Sequence, residues 1–249
     1  MKKLAVLLVL LLVAFAIWLA RNWRLPATPS IPALFKSSLP AACRQVVLVL
    51  SPSQPSVTAR LWLLERSTSD DAWHTATDPI PVTLGHKGLA WGVGEHTGAA
   101  PAGFPLKREG DKCSPAGVFR LPFAFGLAAA VDAPWLKLPY TPLTPSIVGV
   151  DDPKSRYYNQ VVDNTVVTPD WESNEAMQRH GELYRWGAFI AHNPDATPGL
   201  GSCIFLHLWP GPGKATSGCT AMSREDIEKV LRWLDAAKEP HLVQGLEGW

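Results

Sequence analysis

The chain is short of several features that would assign it to a common class. Its 249 residues include only four cysteines, and there is no CxxC or HxxxH pair. Compact zinc modules need ligands at such close spacing, so the conceivable set His192, Cys203, His207 and Cys219 matches none of them. No metal site is expected. Lysine and arginine total 23 against 22 acidic residues, a formal net charge of +1. The basic residues are spread without clusters, which lacks the electrostatic footprint of a nucleic-acid binder. There is no internal repeat, and therefore no solenoid or propeller array. Abundance lies elsewhere, in 23 prolines and 11 tryptophans. That usage suits a β-rich, loop-rich domain with a few helices more than a helical bundle. With the N-terminus set aside, about two hundred residues remain, enough for one well-buried domain or two small ones.

Long apolar runs are also scarce, and the one present opens the chain. Lys2 and Lys3 precede an uninterrupted stretch from Leu4 to Ala20, closed by Arg21 and Arg24. Its length sits at the lower edge for a spanning helix and just above a usual signal-peptide core. Trp18 and Trp23 suit a headgroup interface. Residues 1–21 therefore read as a transmembrane anchor or a signal peptide, with Ala14-Phe15-Ala16 keeping cleavage open. Cys43 lies too far from the run for a lipoprotein. Prolines 26, 29, 32 and 40 mark residues 22–42 as an extended, semi-stiff linker. Residues 43–249 are then the folded domain.

Within that domain, strands are expected at 44–50, 58–66 and 80–84, separated by Gly/Pro turns, which argues for a sheet sandwich or barrel. Two more are expected at 189–193 and 203–209. The middle, 91–158, reads as long loops of the kind that carry function. One helix is clear, over 224–238. Ser223 caps it, Asp226 stands at the reciprocal capping position, and Pro240 follows its end. Ile227, Val230, Leu231 and Leu234 recur at helical spacing, so one face packs on the sheet.

The chemistry concentrates near the C-terminus. In Cys203-Ile204-Phe205-Leu206-His207-Leu208-Trp209, strand alternation puts Cys203, Phe205 and His207 on one face and Ile204, Leu206 and Leu208 on the other. A Gly-Pro-Gly loop at 211–213 then returns to Thr216-Ser217-Gly218-Cys219-Thr220. That order brings an imidazole and a thiol to neighbouring strand ends, where a base can deprotonate a nucleophile. Cys219 is the candidate nucleophile and His207 the candidate general base. Gly218 permits close approach, and its backbone N–H is a candidate oxyanion donor. Thr216 and Ser217 offer small polar side chains to a substrate. His192, before Asn193-Pro194, reads as loop structure first and a substrate contact second.

Ser114-Pro-Ala-Gly-Val-Phe119, Phe-Leu-His207 and Thr-Ser-Gly-Cys219 together resemble the catalytic domain of the L,D-transpeptidases, the YkuD-type fold. The run from Ser155 to Asp163 resembles one branch of that family. The resemblance extends from about Val46 to Leu234 and implies a β-sandwich or barrel catalytic domain in a bacterial cell-wall enzyme. It differs from the common Ser/Thr-His-Gly-Cys pattern in placing Ser217 where the motif has histidine. Thr220-Ala221 follows the cysteine where an arginine often stands. The family's earlier histidine, here His207, is the base, and the backbone carbonyl after it, here that of Leu208, orients it.

The resemblance implies that Cys219 attacks a carbonyl beside a D-centre in a peptidoglycan stem peptide. The terminal D-residue leaves, and an amine resolves the thioester. No cofactor is needed. It also implies an extracytoplasmic (periplasmic) domain at the bacterial inner membrane, secreted if the N-terminal segment is cleaved. Two alternatives stay open. One is a carboxypeptidase or hydrolase using the same thioester, and the other is a non-catalytic wall-binding module. Cys43 and Cys113 would be permitted a disulfide in that compartment.

Overall fold

The fold is organised around strands that are apolar on both faces. The computed structural model describes residues 29–249. A short helix, α1 (Ala33–Lys36), precedes β1 (Gln45–Ser51), β2 (Thr58–Glu65), β3 (His74–Thr75), β4 (Ile80–Thr83) and β5 (Leu89–Trp91). The middle of the chain supplies β6 (Ser114–Arg120), β7 (Ala124–Gly126), β8 (Tyr140–Pro142), β9 (Ile147–Gly149), β10 (Val161–Asp163) and β11 (Glu175–Ala176). The last part supplies β12 (Trp186–Phe189), β13 (Phe205–Leu208), β14 (Thr220–Met222), helix α2 (Arg224–Trp233) and β15 (His241–Leu246). The domain is mainly β with few helices, as expected.

Twelve strands form one mixed sheet in the order β5-β6-β15-β1-β2-β4-β14-β13-β12-β7-β8, with β3 added to β2. A second sheet, β10-β9-β11, is small and antiparallel. Every residue of β1 is buried. Val47 and Val49 join Leu61, Leu63 and Ile80 on one side, whereas Val46, Leu48 and Leu50 meet Ile31 and Phe35 on the other. Helix α2 fills the first of these layers with Ile227, Val230 and Leu231. Its cap is as expected: the Ser223 Oγ accepts from the Asp226 N–H at 3.1 Å. The helix stops at Trp233, because Leu234 is extended and Asp235 caps a separate short 3-10 turn over Ala236–Lys238.

Three segments differ from the expectation. The middle is not loop alone. β6 is a central strand paired with β15 on one side and β5 on the other. Pro115 and Gly117 both weigh against a strand, and pairing on two sides overrides that propensity. The strand expected at 189–193 lies at 186–189 instead, because Asn193 takes a left-handed backbone (φ 52) and the chain turns before it. Residues 31–42, expected to be the second half of the linker, lie on the domain. Ala33 N–H donates to the Trp249 carbonyl, and Phe35 is fully buried against Trp91, His96 and Trp249. The apolar run Leu4–Ala20 and the rest of the expected anchor lie outside the described residues. Among the described residues no helix is long and apolar enough to cross a membrane.

This docking of residues 31–42 has a measurable consequence. Phe35→Ala should lower unfolding stability by about 3–5 kcal/mol, the usual cost of deleting a buried phenyl ring. Denaturant unfolding checks it, and a loss below about 1 kcal/mol would mean that the segment does not pack on the domain in solution.

Candidate active site

β13 and β14 run parallel, with Leu206 opposite Thr220 and His207 opposite Ala221. The connection between them, residues 209–219, contains no helix. It is held by the sheet instead: Thr216 N–H donates to the Leu84 carbonyl and His86 N–H to the Thr216 carbonyl. Alternation along β13 is as the sequence predicted. Ile204, Leu206 and Leu208 enter the helix-facing core, while Cys203 and Phe205 enter a separate cluster that also receives Cys219. His207 and Cys219 thus project to the same side and line one cavity of about 400 Å³, together with Thr216, Ser217 and Gly218.

The cysteine's backbone is clamped. Its carbonyl accepts from the Ser114 hydroxyl at 2.9 Å and from the Thr216 hydroxyl at 2.6 Å. Ser114 is fully buried and in turn accepts the Gly85 N–H at 2.9 Å. Thr216 Oγ1 also accepts the Gly218 N–H at 3.1 Å, so in this state that expected oxyanion donor serves the turn, and the Thr216 side chain does likewise. Gly218 has φ +150, and a Cβ there would stand 3.1 Å from the Cys113 carbonyl oxygen, so the turn requires glycine. The next residue, Thr220, donates to Gln244, whose amide donates to the Pro115 carbonyl. The Ser114-Pro115 and Gly218-Cys219-Thr220 motifs are therefore joined by buried hydrogen bonds.

The third motif stretch is joined as well. Asn159 accepts the Cys203 N–H at 2.9 Å and donates to the carbonyls of His192 and Asn193. It holds Cys203 in a left-handed backbone (φ 51) unusual for that residue type. His192 is buried, accepts the Val93 N–H at Nδ1, and faces the Leu200 carbonyl through Nε2 at 2.9 Å. Both nitrogens serve backbone, which is the loop-structure role. Tyr158 is buried and donates to Glu109. All four cysteines are free thiols. Cys43 packs beside Ile31 and Phe35, and Cys113 contacts the Lys87 carbonyl.

His207 Nδ1 lies 2.7 Å from the Leu208 carbonyl oxygen. A carbonyl only accepts, so the proton sits on Nδ1 and the lone pair is on Nε2. Burial pushes the imidazole down to about 4. Burial likewise pushes the Cys219 thiol up to about 12, helped by the nearby Glu175 carboxylate. The resting site is thus a neutral thiol and a neutral imidazole. The sulfur accepts the Phe205 N–H at 3.4 Å. Among the described residues no hydrogen bond joins sulfur to imidazole, so a proton passes between them only if the two groups come closer.

Three residues of the cavity went unnoticed in the sequence. Tyr184 is buried, with its ring 5.2 Å from that of His207 and 4.4 Å from that of His180. Its hydroxyl donates to Glu175, whose carboxylate also pairs with His180 Nε2 at 3.0 Å. They come from a polar stretch without period, and only the fold carries it to the cysteine. Ser114 was part of a recognised motif, but nothing local indicated that its hydroxyl reaches the Cys219 carbonyl.

No curated protein and no solved structure matches the chain. The family model for the L,D-transpeptidase catalytic domain (YkuD) matches residues 60–243, a span from β2 into β15 that includes every element described above as building the cavity. The chain belongs to the L,D-transpeptidase catalytic-domain family.

Proposed function

We propose that the chain is a cysteine acyltransferase that carries out L,D-transpeptidation on peptidoglycan stem peptides through a thioester at Cys219. The observation that carries this reading is the Nδ1–H bond from His207 to the Leu208 carbonyl, in the cavity shared with Cys219. That bond aims a free Nε2 lone pair at the task of a base. As the stem-peptide carbonyl approaches, the thiol proton moves to Nε2 and sulfur adds to the carbonyl carbon. The developing oxyanion takes backbone N–H groups of the Gly218–Cys219 turn, with the Gly218 N–H shifting from the Thr216 hydroxyl. His207 then returns the proton to the leaving amine of the terminal D-residue. An amine of a second stem peptide attacks the thioester and restores the thiol. Ser217 faces the substrate in this reading. We read residues 1–21 as the segment that brings the domain to the outer face of the inner membrane.

Incubation with a disaccharide-tetrapeptide, followed by muropeptide analysis, tests the reaction. Loss of the terminal D-residue with cross-linked dimer is the expected result, and loss without dimer would mean a carboxypeptidase. Cys219→Ala should abolish turnover while leaving the fold intact, and full activity in that variant would sink the mechanism.

His207→Ala should slow acylation by about 10²–10⁴-fold, the range for losing a general base. A large fall in melting temperature instead would identify His207 as a packing residue. The pH dependence has a definite sign. His207 must be neutral to accept the proton, and burial holds it neutral down to about pH 4. The acid limb of acylation therefore lies well below the roughly 6.5 of an ordinary histidine, and a limb at or above that value would show that burial does not hold His207 neutral in solution.

Ser114→Ala strips one donor from the Cys219 carbonyl and leaves the buried Gly85 N–H without its acceptor. A stability loss of about 1–3 kcal/mol is expected, together with slower acylation. Unchanged acylation at reduced stability would show that the clamp is structural only.

A further inference from the structure

The cavity holds a second imidazole that the reading above does not use. His180 lies on the short 3-10 segment Met177–Tyr184, and its side chain is 39% exposed and lines the cavity with Cys219. Its Nε2 pairs with Glu175 at 3.0 Å, so that nitrogen carries the proton donated to the carboxylate and Nδ1 has the free lone pair. Tyr184 fixes the arrangement from the other side. Its ring stacks on His180, packs against His207, and its hydroxyl shares the Glu175 carboxylate. This chain has Ser217 two residues before the nucleophile, so the nearby turn offers no imidazole of its own.

The two histidines sit in opposite surroundings. His207 is buried and its N–H faces a neutral carbonyl, which stabilises an imidazolium only weakly against the cost of burial. His180 is open to the cavity and its N–H faces a carboxylate, which stabilises one more strongly. Burial lowers His207, whereas the bond to Glu175 raises His180 above the ordinary histidine value. Titratable groups pushed apart in this way take different proton-transfer tasks. Besides Glu175, Tyr184 and His207, the charged groups lining the cavity are Asp151, Lys214, Glu109 and Lys107. Of these, Lys107 is neutralised by Asp111 at 2.7 Å, and Glu109 is engaged by Tyr158 and Ser202.

Resting on the thioester chemistry proposed above, we propose that His180, oriented by Glu175, is the base that deprotonates an incoming ammonium acceptor before it attacks the Cys219 thioester. An alkylammonium has no lone pair and cannot attack until one proton is removed. That proton goes to His180 Nδ1 and on to solvent. The freed amine adds to the thioester carbonyl, the C–N bond forms and the C–S bond breaks. A second amine proton passes through His207 to the departing sulfur, which regenerates the thiol. Water needs no such first step, so His180 biases the thioester toward joining over hydrolysis.

The test uses the full chain in detergent, with acylation and resolution timed separately by intact-protein mass spectrometry on the disaccharide-tetrapeptide. In His180→Gln, resolution by an alkylamine acceptor should slow by about 10²-fold or more, the lower range for a general base. Acylation should be retained, hydrolysis should persist, and the ratio of cross-linked to hydrolysed product should fall. Hydroxylamine, an amine already uncharged at neutral pH, should resolve the variant's thioester as fast as the wild type's. The pH profile of aminolysis should also lose a limb that lies above the acylation limb. Equal slowing with alkylamine and hydroxylamine, or no slowing with either, would overturn the assignment of His180 while leaving Cys219 as nucleophile. Failure of the wild-type chain to form any acyl-enzyme would overturn both.

Discussion

The structure depends on one carbonyl, that of Cys219. Two buried or half-buried hydroxyls, from Ser114 and Thr216, converge on it from separate segments. A side chain as short as cysteine cannot be steered from its tip, so its position is set by where its backbone is held. The clamp ties the turn to β6, and the Thr220–Gln244–Pro115 bonds extend the tie to β15. Buried polar chains of this sort are costly when broken and position-specifying when complete. Here every partner is satisfied, and the outcome is a cysteine whose main chain has little freedom.

Around that fixed point the site is electrically quiet. Thiol and imidazole are both uncharged at rest, because neither charge is favoured where water is excluded. A resting thiolate–imidazolium pair would react with any electrophile. In the reaction proposed above, a neutral pair instead awaits a substrate that brings carbonyl, sulfur and imidazole together. The charged residues lie on the surrounding wall, and several are already paired with one another: Lys107 with Asp111, and His180 with Glu175.

The packing beneath supplies rigidity. β1, β13 and their neighbours are covered on both faces, by α2 on one side and by the Phe35–Trp91–Trp249 cluster or the small β9–β11 sheet on the other. The two faces of β13 carry different sets, Ile204, Leu206 and Leu208 against Cys203, Phe205 and His207, so a one-residue slip would exchange the core face with the cavity face. The His207–Ala221 pairing that sets the site is protected by that constraint.

The sequence by itself determined the elements whose signal is local. Alternation along residues 203–208, the Ser223–Asp226 cap and the apolar spacing of α2 are short-range patterns, and the structure follows each of them. It determined the nucleophile and base as candidates, because a thiol after glycine and a histidine at a strand end carry their chemistry in their neighbours. Tertiary structure decided the rest. β6 was hidden by Pro115 and Gly117, whose poor strand propensity is outweighed only by partners far away in the chain. Residues 31–42 read as a spacer because proline marks backbone stiffness and says nothing of docking. Ser114, Glu175, His180 and Tyr184 lie 105 to 35 residues from Cys219 in the chain. No local pattern encodes a hydrogen bond across such a separation, and the geometry that joins them exists only once the sheet has closed.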